Sequence, residues 1–186
     1  MRKAFKYRLF TNANQERELS IALETHRRLY NECLAQRIEA YKLTGKAVGF
    51  YDQSKWFKSA RQANPFYARI NFSAAQGTMR RLDKAYANFF RRVKAKECKA
   101  GFPRFKGRDH FDSIEFKSYG DGCKITGSRL YLQHIGNIKV KLHRPWQGKI
   151  KTVTAKREGD KWFVILSCDL GELNICLLYT SPSPRD

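Results

Sequence analysis

"AFKYRLF", residues 4–10, decides how the chain is put together. Phe5, Tyr7 and Leu9 fall on one side of an extended backbone and Lys6 and Arg8 on the other, the period-two pattern of a half-buried strand. A lone strand at the start of a chain has no partner nearby. The next stretch, about a hundred residues, is helical in pattern, so this strand must pair with something much later.

After "TNANQ", where Thr11 or Asn12 can cap, Leu19, Leu23, His26, Leu29, Tyr30, Cys33 and Tyr41 recur every three or four residues. The spacing predicts a long amphipathic helix ending near Gly45. A second helix, from about Asp52 to Gln62, carries Trp56, Phe57 and Ala60 and stops before Asn64-Pro65, because proline disfavours helical geometry in the residue before it. A third starts at "SAAQ", where Ser73 and Gln76 have capping-box spacing, and runs to about Lys96.

Beyond residue 110 the period becomes two. "SIEFK", "CKIT", "RLYLQ", "NIKVKL", "IKTVTAKR" and "KWFVILSC" read as strands separated by polar or glycine turns, with "EGD" at 158–160 a hairpin loop. The expected fold is α+β: a small antiparallel β-barrel, which the first strand joins and closes, interrupted by a three-helix lobe. Residues 1–10 and 111–170 would form the barrel and 11–110 the lobe, while 171–186 would be an unstructured tail. From Cys176 onward, "CLLYTSPSPRD" shares no pattern with the rest and resembles a sequencing-library adapter translated in frame; the bland alternative is a Pro/Ser linker. Both imply that the natural protein continues past Leu170.

The chain has 186 residues, 42% of them hydrophobic, enough for a real core. Its 37 Lys+Arg against 17 Asp+Glu leave a formal net charge of +20, a field suited to a polyanion. No apolar run is long enough to span a bilayer, and the charged start is unlike a signal peptide, so a cytoplasmic location with no membrane partner is expected. Cys33, Cys98, Cys123, Cys168 and Cys176 stand singly, which gives neither a disulfide framework nor a CxxC zinc knuckle.

Two segments carry the charge where it could work. On the third helix Met79, Leu82, Tyr86, Phe89, Phe90 and Val93 share a face read as core, while Arg80, Lys84 and Arg91 share the opposite one with Arg81 and Arg92 beside them. Asp83 is the only acid there, and so unbalanced a stripe points to phosphate contacts. In "GFPRFKGRD", residues 101–109, Pro103 favours an extended strip with Arg104 and Lys106 on one side and Phe105, as a core anchor, on the other; Arg108 adds a third cation. Stacking of Phe102 or Phe105 on bases is the less expected use of those rings.

His26 reads as a core histidine, and His110, His134 and His143 have no partner spacing. No residue is assigned a catalytic or metal-binding role: Asp169 and Glu172 in "SCDLGE" lack the further carboxylates that a two-metal nuclease needs.

"KAFKYRLFTNANQ", "RRLYNECLAQRIEAYK", "AQGTMRRLDKAYANFFRRVK" and "GFPRFKGRD", in this order, resemble the N-terminal half of TnpB, also called OrfB, the family encoded by bacterial and archaeal insertion sequences. The likeness covers about residues 1–170. It implies a wedge-like barrel interrupted by a recognition lobe, followed in the full-length protein by a RuvC-like nuclease and a zinc ribbon. The partners it implies are a guide RNA and target DNA, with base pairing reading sequence while protein reads shape; no small-molecule substrate is expected. By position, Tyr51, Gln76, Lys117 and Ser118 correspond to regions that read the target-adjacent motif. The divalent metal and zinc belong to the half that is absent here, so this chain alone should not be an enzyme. An older label for the family is transposase with an N-terminal helix-turn-helix domain. The competing readings are an autonomous RNA- or DNA-binding regulator that has lost its nuclease, and a fragment of a classical DNA-joining transposase; the latter needs a nucleophile or carboxylate cluster that the sequence does not offer.

Overall fold

The computed structural model describes residues 1–96 and 100–171. Cys98, Glu172, Cys176 and the expected tail lie outside the described residues, except for Gly171 at the tail's threshold.

The first strand, β1 (Arg2–Phe10), leads into helices α1 (Ala13–Thr44), α2 (Phe50–Ala63), α3 (Pro65–Ala68) and α4 (Phe72–Lys94). An extended segment and a short 3-10 turn, Arg108–His110, then precede β2 (Ser113–Phe116), β3 (Cys123–Thr126), β4 (Arg129–Leu132), β5 (Gly136–Lys141), β6 (Lys149–Glu158) and β7 (Lys161–Asp169). All seven strands form one curled antiparallel sheet in the order β2-β6-β7-β1-β5-β4-β3. The earliest strand is therefore the central one. It pairs with β7 from Arg2↔Asp169 to Leu9↔Trp162, so the start of the chain is threaded through its last strands.

The sheet is a half-barrel and does not close as expected. Its edges, β2 and β3, are four residues each and do not pair with one another. The first half of α4 lies across the open side instead. The Asn71 amide donates to Asp121, before β3, and to Gln133, after β4, while Gly77 rests on β2 so closely that a Cβ there would stand 3.2 Å from the Glu115 carbonyl oxygen.

Local signals explain the helices. Asn12 and Gln15 form the capping box of α1, and Gly45, at φ +67° where a side chain would be strained, ends it with an N–H to the Tyr41 carbonyl. Asn64 is extended before Pro65, as expected, and then caps the unanticipated α3. At α4 the reading of a Ser73–Gln76 capping box is corrected: Asn71 is the cap, its side chain accepting from the Ala74 N–H, and Ser73 instead donates to Asp121.

One core runs through both parts. Phe5, Tyr7 and Leu9 of β1, Leu29 and Leu34 of α1, Met79 and Leu82 of α4 and Trp162 and Leu166 of β7 belong to a single buried cluster. Buried polar links stitch the helices. The guanidinium of Arg37 on α1 donates to Gln53 on α2 at 2.9 Å and to Asp83 on α4 at 2.5 Å, and Gln53 donates to the Cys33 carbonyl.

His26 Nδ1 lies 2.8 Å from Thr78 Oγ1 between α1 and α4. Burial, with the Arg81 charge nearby, pushes the imidazole from its ordinary 6.5 down to about 3, so it is neutral in the fold. The unfolded chain then binds one more proton below pH 6.5, and stability falls as pH drops through that value. Between pH 6.5 and 5 the loss should be about 2 kcal/mol. Glu24, held down to about 2 chiefly by its hydrogen bond from Arg27, adds its own loss only below its ordinary 4.5. Urea titrations at pH 7, 6 and 5 should show this slope in the native chain and a flat profile in His26→Gln; an equal slope in both would remove His26 as its source.

Candidate nucleic-acid interface

Arg80, Lys84 and Arg91 line one exposed face of α4, with no hydrogen-bond or ion-pair partner among the described residues. The Arg80 guanidinium stacks 4.0 Å from the centre of the Phe50 ring, which fixes its direction without neutralising it. Asp83 does not offset the stripe, because it is taken by Arg37.

Arg81 and Arg92 leave the stripe. Arg81 turns inward and donates to the Ser113 carbonyl at 2.8 Å, with its charge 5.4 Å from the Phe111 ring centre, fastening α4 to β2. Arg92 donates to the Gly101 carbonyl at 3.0 Å. Both were candidates because a helical wheel shows flank positions as exposed; a carbonyl reaching them from a later segment is a tertiary fact that the wheel omits.

The "GFPRFK" segment is extended, and its backbone is clamped to α1. The Lys106 N–H donates to Asn31 at 2.7 Å, and the Lys106 carbonyl accepts from Arg27 at 2.8 Å and from Asn31 at 3.0 Å. Pro103 is buried, and the Phe102 ring stands edge-on to Tyr86 and Phe89 at 5.5 and 5.3 Å. Phe105 was expected to be the core anchor, but it is 57% exposed. Strict alternation needs a paired strand to enforce it, and this segment is anchored by backbone hydrogen bonds and Pro103 instead. Arg104, Lys106 and Arg108 have no charged partner for their side chains among the described residues.

Of the four positions that the resemblance assigns to target-motif reading, Tyr51 is on α2, Gln76 on α4 and Lys117 directly after β2. Tyr51 is exposed beside Phe50, whose ring holds Arg80. Gln76 donates to Ser54 on α2 at 3.1 Å and serves no cap. The Lys117 side chain lies over Gly77, and burial together with the neighbouring Arg80 lowers its affinity for its proton. Two cations held together at a junction make a receptive place for an anion. Ser118 lies on the exposed loop after β2, where its carbonyl accepts from Asp121.

A further basic surface escaped the sequence reading. On the outer face of the sheet Arg8 stands opposite Lys141, and Lys139 opposite Arg129, with Phe10 opposite Lys139. Like charges in direct register repel unless an outside anion lies between them. The signal was present in the outward positions of "FKYRLF" and "IKVKL", where the eye follows the inward residues.

Asp169 accepts from the Gly171 N–H and lies 3.9 Å from the terminal amine. Its suggested companion Glu172 is outside the described residues. Among the described residues no group of three or more His, Cys, Asp or Glu side chains is placed to hold a metal ion, and no helix is long and apolar enough to cross a membrane.

Residues 1–46 match the family model of the helix-turn-helix domain of OrfB from IS605. In this structure those residues are β1, the Asn12 cap and α1 with its Gly45 stop. The chain is 26% identical over 171 residues to "Putative RNA-guided DNA endonuclease InsQ" of Escherichia coli K12, which covers 90% of this chain and 40% of that protein. It is 27% identical over 176 residues to "Putative RNA-guided DNA endonuclease" of Streptomyces pristinaespiralis, covering 91% of this chain and 42% of that one. The chain thus spans about two fifths of the length of these curated relatives. These matches support the resemblance to TnpB/OrfB drawn from the motifs.

Proposed function

We propose that this chain is the nucleic-acid-binding N-terminal half of a TnpB-like RNA-guided DNA endonuclease, binding guide RNA and target DNA and not itself cutting. The observation that carries the reading is the clamped "GFPRFK" segment. Its backbone is fixed to α1 at Lys106 while Arg104, Lys106 and Arg108 are left without acidic partners among the described residues. Prefixed cations lose little freedom when they meet phosphates, which favours binding by shape and backbone. The half-barrel serves as the wedge-like platform and α1–α4 as the recognition lobe. Tyr51, Gln76, Lys117 and Ser118 face the duplex that carries the target-adjacent motif, and the divalent metal and zinc belong to a nuclease half beyond them in the full-length protein.

The test replaces Arg104 and Lys106 together with alanine. All three hydrogen bonds between the Lys106 backbone and α1 survive this change, so the melting temperature should hold. RNA affinity should fall roughly tenfold, similarly for unrelated sequences, and the salt slope should shrink by about 1.5. A variant that melts early would show the segment to be structural, and one that binds like the native chain would remove it from the interface.

A further inference from the structure

Between the end of α1 and the second half of α4 lies an open groove of about 630 Å³ that the described residues do not fill. Its walls are chiefly aromatic: Tyr41 on α1, Tyr86, Phe89 and Phe90 on α4, and Phe102 from the extended segment. The sequence assigns most of these to the core, yet Tyr41 is 65% exposed, Phe90 60% and Phe102 45%. Such rings in water are costly unless something covers them.

The occupant is indicated by the charge around the walls. Among the described residues no carboxylate lines the groove and Lys42 does, while the other lining cation, Arg37, is already paired with Asp83. Along α4, Lys94 comes one turn after Phe90, on the same side of the helix. Arg104 lies two residues after Phe102. An apolar floor with a cationic margin fits a ligand that is flat and apolar in its body and anionic along its edge. A basic or neutral apolar peptide would leave the margin without counter-charge, and a nucleic-acid duplex keeps its bases stacked inside.

We propose that the groove takes unstacked bases of single-stranded nucleic acid, with the phosphates on Lys42, Lys94 and Arg104. This rests on the nucleic-acid reading above and narrows it, giving the chain a preference for single strands at a defined place. The rings are prearranged. Phe102 is held edge-on by Tyr86 and Phe89, and Arg92 pins the backbone behind it through the Gly101 carbonyl. Little side-chain freedom is therefore lost when a base stacks.

The experiment uses the full 186-residue chain and a pyrimidine-rich RNA strand of about twelve nucleotides carrying one fluorescent purine analogue, alone or annealed to its complement. The native chain should quench the analogue in the single strand and bind that strand more tightly than the duplex at equal salt. Tyr41→Ala with Phe90→Ala should lower single-strand affinity about tenfold and abolish quenching, leaving duplex affinity and the salt slope unchanged. Phe90→Tyr, which keeps a ring, should retain both. Unaltered single-strand binding in the double variant overturns the proposal, as does an equal loss on strand and duplex. A change in sedimentation instead of RNA binding would show that a second copy covers the groove, which also overturns it. If the native chain binds neither RNA, the nucleic-acid reading itself falls; if it binds both and the groove variants do not matter, only the groove assignment does.

Discussion

Raising the salt from about 50 to about 200 mM should weaken binding of this chain to single-stranded RNA by roughly 300-fold. The size of the effect comes from particular side chains. Arg80, Lys84, Arg91, Arg104, Lys106 and Arg108 have no acidic partner among the described residues, so each can displace a condensed counterion from a phosphate. Six such contacts on a single strand give a slope of about −4 in log affinity against log salt. Arg81 and Arg92 are left out because each already donates to a backbone carbonyl, of Ser113 and Gly101 respectively. Were they to release those carbonyls and join, the slope would approach about −6, and fluorescence anisotropy at several salt concentrations separates the two values. A slope near zero would refute the electrostatic account, whatever the affinity at one salt. The net charge of +20 alone does not predict the slope, because many cations are already engaged. Lys6 and Lys156, for example, share Glu158.

The difference between six and eight marks where sequence reading succeeds and where it stops. One-sided alternation reveals strands because a sheet with one wet face imposes it, and so β1 and all six later strands could be placed from their inward residues. The cap of α1 was within reach for a similar reason, since Asn12 and Gln15 satisfy each other within one turn. The cap of α4 was not within reach: Asn71 caps it, while Ser73, read as the cap, donates to Asp121, far along the chain. The α4 stripe was half right on the same grounds. Its first turns bury Met79 and Leu82 against α1 and the sheet, whereas Phe90 and Val93 extend past that cover. Periodicity describes one helix face and says nothing of how far the neighbour reaches.

That shared core leads to the second large effect. Trp162→Ala should destabilise the chain by about 4 kcal/mol, through lost burial and an unfilled cavity. Trp162 is only 2% exposed and stands opposite Leu9 on β1 and Arg157 on β6, in the middle of the sheet. The effect should not stay in the sheet. Leu9, Leu29, Met79 and Trp162 are members of one buried cluster, and Arg81 and Gly77 hold α4 directly on β2. Helix and sheet should accordingly melt in a single transition, with the helical circular-dichroism signal and the strand band of the amide I infrared spectrum losing amplitude at the same temperature in native chain and variant alike. If the helical signal of the variant outlived its sheet, the lobe would be an independent unit, and β1 would be a tether and not the central strand of a common core. The same outcome would matter for binding, because the Lys106 clamp is on α1 while the Arg8–Lys141 surface is on the sheet. Two halves that come apart could not hold those cations at fixed spacing, and recognition of a nucleic acid by shape needs that spacing to persist.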